Sequence, residues 1–113
     1  MKFEIAPKST EIVANWDDAK LYCQFLDIDG KNDWRLPTTD ELKDIYNSEH
    51  DLRIPTKEEL NEMYNYGNNF SDSFYWSVTG VNGYIAWKQS LSFSDQYSAL
   101  NGTINRVRAV RSL

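Results

Sequence analysis

His50 is the only histidine and Cys23 the only cysteine of the chain. A Ser-His-Asp triad or a zinc site needs more partners than these two provide. His50 falls in a polar stretch between two predicted helices, where a solvated turn residue is expected. A reactive thiol requires an exposed, electropositive setting. Cys23 instead shares a helical phase with Trp16, Ala19 and Leu26, so it is expected in the core. One cysteine forms no internal disulfide. Asp27, Asp29, Asn32 and Asp33 are oxygen donors in a short run. An EF-hand calcium loop places ligands at positions 1, 3 and 5 and glycine at 6. Here Lys31 stands at the fifth position and Asn32 at the sixth, so a polar helix-to-strand turn is the better reading. A carboxylate-based hydrolase is the catalytic alternative. Outside predicted helix caps and turns, however, no two carboxylates stand at a recognisable spacing, and no enzymatic activity, metal or cofactor is expected.

Binding chemistry is better represented. Tyr84, Lys88, Tyr97, Asn101, Arg106 and Arg108 supply aromatic rings, an amide and three cations to the second half of the chain. Groups of this kind on a rigid sheet form a ligand surface for a small anionic molecule or a host protein. The competing reading is ordinary sheet surface. Arg35 and Arg53 each precede a Pro-Thr pair, where they either grip an anion or, as expected, pair with a nearby carboxylate and order the bend. Trp16, Trp34, Trp76 and Trp87 are expected to pack in the core rather than form a stacking platform.

These side chains need a scaffold, and the 113 residues are enough for one domain, 1–113. Aromatic residues make up 14%, which argues for a packed core and against disorder. The net charge of −5 disfavours general nucleic-acid binding, because phosphate backbones repel an acidic chain. No apolar run approaches the roughly 20 residues of a membrane span, and Met1 to Pro7 contains no leader-like apolar stretch.

Residues 2–5 alternate Lys, Phe, Glu, Ile and predict a short opening strand. Asn15 is a helix N-cap with Asp17 and Asp18 in the first turn, and Trp16, Ala19, Cys23 and Leu26 predict a helix over about 16–26. Trp34-Arg35-Leu36-Pro37 is extended, because the residue before proline avoids helical geometry. Thr38 and Glu41 then form a capping box and open a helix over about 39–47, with Leu42, Ile45 and Tyr46 inward. Arg53 to Leu60 repeats Arg35 to Leu42, 18 positions later, and predicts a third helix over about 57–66 burying Leu60, Met63 and Tyr64. Two copies are too few for a solenoid. Beyond Gly67 the composition turns to glycine, serine and aromatics. Phe74 to Val78 predicts one strand and Tyr84 to Phe93 a second, with Ile85, Trp87, Leu91 and Phe93 on its core face and Tyr84 and Lys88 opposite. Asn82-Gly83 and Asn101-Gly102 are turn signals, and Ile104 to Val110 predicts a closing strand. A helical part over about 15–66 followed by a strand-rich part over about 67–113 is an α+β order.

Four pieces carry a resemblance to a known family: Trp16-Asp17-Asp18-Ala19 through Tyr22-Cys23; Asp33-Trp34-Arg35-Leu36-Pro37-Thr38 through Glu41-Leu42; Tyr75-Trp76-Ser77; and Val107-Arg108-Ala109-Val110-Arg111. The chain resembles the C-terminal domain of the Legionella collagen-like protein, a bacterial and phage domain. The resemblance implies a C-type-lectin-like fold, with N-terminal helices packed on an antiparallel sheet. It also implies an irregular region between strands as the ligand surface, which would contain or border Tyr97, Asn101, Arg106 and Arg108. Such domains often tie the first helix to the last strand by a disulfide. Cys23 occupies the first of those positions and Ala109 the second, so that bridge is absent, as is the Glu-Pro-Asn calcium motif of the lectins. The related formylglycine-generating fold depends on active-site cysteines that this chain lacks. The expectation is a non-catalytic binding module, cytoplasmic and phage-encoded, that sequesters a small anionic ligand or a host protein. Adhesion on a cell surface or virion is the alternative.

Overall fold

The computed structural model describes residues 2–49, 73–91 and 95–113. In chain order the elements are β1 (Phe3–Ile5), a 3-10 turn (Lys8–Thr10), β2 (Ile12–Ala14), α1 (Trp16–Phe25), α2 (Thr39–Glu49), β3 (Phe74–Gly80), β4 (Ile85–Ser90), β5 (Gln96–Leu100), β6 (Asn105–Val107) and β7 (Val110–Ser112). His50, the second Arg-x-Pro-Thr segment with its predicted helix, and Phe93 lie outside the described residues. The class is α+β, but two short strands precede the helices. The predicted strand from Ile104 to Val110 is divided into β6 and β7 by Arg108 and Ala109.

The five-stranded sheet has the order β2-β6-β3-β4-β5, and β1 pairs with β7 in a separate two-stranded ribbon. The sheet is mixed rather than antiparallel, because β6 runs parallel to β3 at Tyr75↔Arg106 and antiparallel to β2. Successive residues of a strand face opposite sides, and β3 uses both. Trp76 belongs to a buried cluster with Trp16, Ala19 and Cys23 of α1 and with Ala86, Val107 and Ala109. Its neighbour Tyr75 belongs to a second cluster with Leu42 and Ile45 of α2 and with Phe3, Ile5, Leu91 and Val110. The helices therefore lie against opposite faces of the sheet. This corrects the expected faces of β4: Ala86 and Gln89 are buried, while Ile85 and Trp87 are only half-buried.

The helix starts follow their caps. The Asn15 side chain accepts from the Asp18 N–H at 2.9 Å. At α2 the capping box is reciprocal: the Glu41 N–H donates to Thr38 Oγ1 at 3.1 Å, and the Thr38 N–H donates to Glu41 Oε1 at 2.8 Å. Trp16, Trp34 and Trp76 are buried as expected, and each indole N–H donates to a backbone carbonyl, of Ser77, Lys31 and Ala14 respectively. Gly80 matters through proximity, since a Cβ there would stand 2.9 Å from Cη2 of Trp16. The polar turn after α1 is a tight hairpin in which Ile28 and Lys31 pair and Asp29 and Gly30 both have positive φ, 53° and 83°. That backbone favours Asp-Gly. No helix among the described residues is long and apolar enough to cross a membrane.

Candidate functional site

The six residues expected to form one ligand surface occupy three places. Tyr84 and Asn101 lie where the β3–β4 and β5–β6 turns meet. The Asn101 N–H donates to the Tyr84 carbonyl at 2.8 Å, and its side-chain amide donates to the Gly83 carbonyl at 3.0 Å. Asn101 thus ties the two turns together, and its carbonyl accepts from the Trp16 N–H at the start of α1. Tyr84 is exposed.

Lys88 and Tyr97 form the second group. They are cross-strand partners on β4 and β5, and both lie against Phe74 of β3. The Lys88 ammonium sits 4.2 Å from the Phe74 ring centroid, and the Tyr97 ring meets Phe74 edge-on at 5.7 Å. Strand alternation groups these residues: Phe74 and Trp76 share a face, and Trp76 pairs with Lys88. Tyr84 precedes Lys88 by four extended residues, about 13 Å along the strand, so one small ligand does not touch both.

Arg106 and Arg108 form the third group, and here the expectation of two accessible guanidinium groups is corrected. Arg108 is 1% exposed. Its Nη1 donates to the Ala6 carbonyl at 3.1 Å, and its Nη2 lies 3.2 Å from Glu11 Oε1. The Tyr75 hydroxyl donates to the same oxygen at 2.7 Å. Arg106 holds the other oxygen, with Nη1 3.0 Å from Glu11 Oε2, and its side chain keeps 38% of its surface exposed. Two guanidinium groups therefore share one buried carboxylate. Strand pairing makes Arg106 and Arg108 equivalent in sequence terms. Burial separates them: Arg108 lies in the break between β6 and β7, beneath the chain at Ala6, while Arg106 pairs with Val13 at the rim of the sheet.

A cleft of about 400 Å³ opens beside Arg106, lined by Val13, Ser73, Phe74, Ile104 and Asn105. Val13 and Ile104 are both exposed, apolar walls. Asn105 is buried, and its side-chain N–H₂ has no hydrogen-bond partner among the described residues. Phe74 is common to this cleft and to the Lys88–Tyr97 group. A second groove of about 670 Å³ runs between α1 and β2, lined by Ile12, Ala14, Leu21, Tyr22, Phe25 and Leu26, with the carboxylates of Asp18 and Asp27 at its edge. Those carboxylates make it unsuited to anions. Glu11, Val13, Ile104 and Asn105 carried no motif in the sequence; only the meeting of β2 with β6 makes them neighbours.

The other candidates are structural. The Arg35 guanidinium binds both oxygens of Glu41, at 2.6 and 2.8 Å, and this pairing holds the Glu41 carboxyl below its ordinary pKa. As expected, Arg35 orders the bend. Cys23 is enclosed, and burial pushes its thiol pKa up to about 12. Asp27 accepts from the Gly30 N–H, and Asp33 binds Arg111, which lowers its pKa. Among the described residues no group of three or more metal-ligating side chains gathers.

A model of the Lcl C-terminal domain family matches residues 4–111. No curated protein sequence matches the chain.

Proposed function

The chain belongs to the Lcl C-terminal domain family, and on that premise we propose that it is a non-catalytic binding module whose ligand is anionic. The observation that carries the reading is Arg106, whose side chain is fixed by Glu11 yet keeps 38% of its surface exposed at a cleft with apolar walls, in a chain of net charge −5. Arg106 is the anchor: it is held in place on one side by Glu11 and open on the other, so little side-chain freedom is lost on binding. Val13, Ile104 and Phe74 suit an organic body attached to the anionic group. Lys88, across Phe74, adds long-range attraction. The ligand class is a small anionic molecule, or an acidic patch of a host protein offering the same chemistry. The two helices flanking the sheet, together with family membership, support a C-type-lectin-like architecture. A buried Cys23 facing no second cysteine supports a reducing, cytoplasmic setting, which a phage-encoded protein acting inside its host would share.

The test is a panel of small anions (inorganic phosphate, dicarboxylates, nucleotides and sulfated sugars) followed by thermal shift and calorimetry. At least one is expected to raise the melting temperature, with affinity falling as salt rises. Arg106→Gln is expected to weaken binding by about tenfold to a hundredfold, the range of a charge-assisted hydrogen bond. Binding that is indifferent to Arg106→Gln, or no shift with any anion, overturns the proposal. Recovery of the protein in a secreted or virion fraction would move the same site to adhesion.

A further inference from the structure

The two edges of the five-stranded sheet are not alike. At the β2 edge the Ala14 carbonyl accepts the Trp76 indole N–H, and the Thr10 carbonyl just before the strand accepts the Tyr22 hydroxyl. That edge is only three residues long and is occupied by side chains of the same molecule. Among the described residues the opposite edge is β5, which is five residues long and follows β4 without a register shift from Ile85↔Leu100 to Gln89↔Gln96. The flanking bonds Ser90 N–H to Asp95 carbonyl and Asn101 N–H to Tyr84 carbonyl set its phase. In an antiparallel pair, alternate residues bond to the neighbouring strand. Tyr97 and Ala99 therefore bond to β4, and the backbone groups of Gln96, Ser98 and Leu100 point away from the sheet.

Proteins blunt such edges with charge, proline, bulges or covering segments. Gln96-Tyr97-Ser98-Ala99-Leu100 carries no charge, no proline and no bulge, and the run 96–104 contains no charged residue although the chain has 17 acidic and 12 basic residues. Tyr97 and Leu100 are exposed along it.

We propose that β5 pairs antiparallel with β5 of a second copy of this chain, joining the two sheets across a two-fold axis at Ser98. The sequence is self-complementary in that register. Ser98 meets Ser98, and Gln96 meets Leu100, so every outward backbone group finds a partner. The Leu100 carbonyl, which already accepts from the Thr103 N–H at 3.0 Å, uses its second lone pair. Tyr97 meets Ala99, a large side chain against a small one, at positions where the strands approach most closely. Asp95 meets Asn101 rather than a second carboxylate, so two acidic molecules join along a strip where neither repels the other. The Phe74–Lys88–Tyr97 groups of both copies then share one continuous sheet face, and the dimer is bivalent.

Sedimentation of the intact protein across a dilution series tests this. A species of twice 13.2 kDa is expected at high concentration, dissociating on dilution. Ser98→Lys places like charges opposite each other on the axis and touches no bond to β4; Ser98→Pro removes an outward N–H only. Both are expected to give monomers with an unchanged circular-dichroism spectrum. Ser98→Cys is expected to form an oxidised dimer that reductant releases, with Cys23 too buried to compete. A wild type that stays monomeric, a dimer indifferent to Ser98→Lys, or failure of Ser98→Cys to cross-link overturns the proposal.

Discussion

Arg106 and Arg108 bind the same carboxylate and differ in burial, and Arg108 also donates to the Ala6 carbonyl. The Glu11 side chain is 6% exposed and Arg108 1%, so Arg108→Ala empties a fully buried site and removes both the donor to the Ala6 carbonyl and one of the two guanidinium groups that hold Glu11. Arg108→Ala is expected to cost about 3–5 kcal/mol in urea denaturation. Arg106→Gln leaves Glu11 its Arg108 and Tyr75 bonds, and its own pair is partly exposed, so a loss below about 1 kcal/mol is expected. A binding defect in Arg106→Gln is therefore readable as loss of the site, whereas one in Arg108→Ala is confounded by unfolding. The arginines alone were legible in the sequence. Glu11 was not, because a lone glutamate before a three-residue strand carries no pattern, and its value arises from contacts with residues 64, 95 and 97 positions away.

The segment from Trp34 to Leu42 shows an element whose local chemistry is complete in itself. Proline stop, capping box and arginine–carboxylate pair all fall within nine positions, so the bend and the start of α2 were readable from residue types. The Arg35 contact with Ser112 Oγ, at 3.0 Å, and the backbone bonds of Arg35 with Val110 and of Pro37 with Val78 required the fold. Because Arg35 lowers the Glu41 pKa below the ordinary glutamate value of 4.5, the pair's contribution to stability is complete above about pH 4.5 and is lost as pH falls through the depressed folded value. Glu41→Gln is expected to be less stable than wild type at neutral pH and to lose less stability on acidification. Urea midpoints at pH 7 and at successively lower pH check this. Between β3 and β4 the constraint is spatial instead. Gly80 closes β3, and what it accommodates is the Trp16 ring, which is held in place by the Ser77 carbonyl. Gly80→Ala is expected to cost about 1–3 kcal/mol through overpacking, measured as a fall in urea midpoint.

Across the whole molecule, the first and last described strands contribute Phe3, Ile5 and Val110 to the core. β1 pairs with β7 from Phe3↔Ser112 to Ile5↔Val110, and Val110 exchanges both backbone hydrogen bonds with Arg35, each at 2.8 Å. Truncation after Ala109 removes a fully buried side chain, a strand and the partner of Arg35 together. The shortened chain is expected to lose its cooperative thermal transition, followed by near-ultraviolet circular dichroism. The same closure accounts for the absence of a cross-link: Cys23 and Ala109 fall in one buried cluster, so apolar packing joins the first helix to the end of the chain where the family resemblance placed a disulfide.

By itself the sequence determined the α+β class, the first strand, both described helix starts with their caps, three buried tryptophans and the burial of Cys23. All of these rest on interactions within a few residues or on the period of apolar side chains. Tertiary structure alone decided which face of each strand is core and which arginine remains accessible. The alternation rule assumes a sheet with one wet face. Here α1 and α2 cover opposite faces, so the period-2 pattern in β4 no longer marks inside and outside. The parallel pairing of β6 with β3 and the assembly of Glu11 with two arginines are long-range choices made by packing, and no local pattern encodes them.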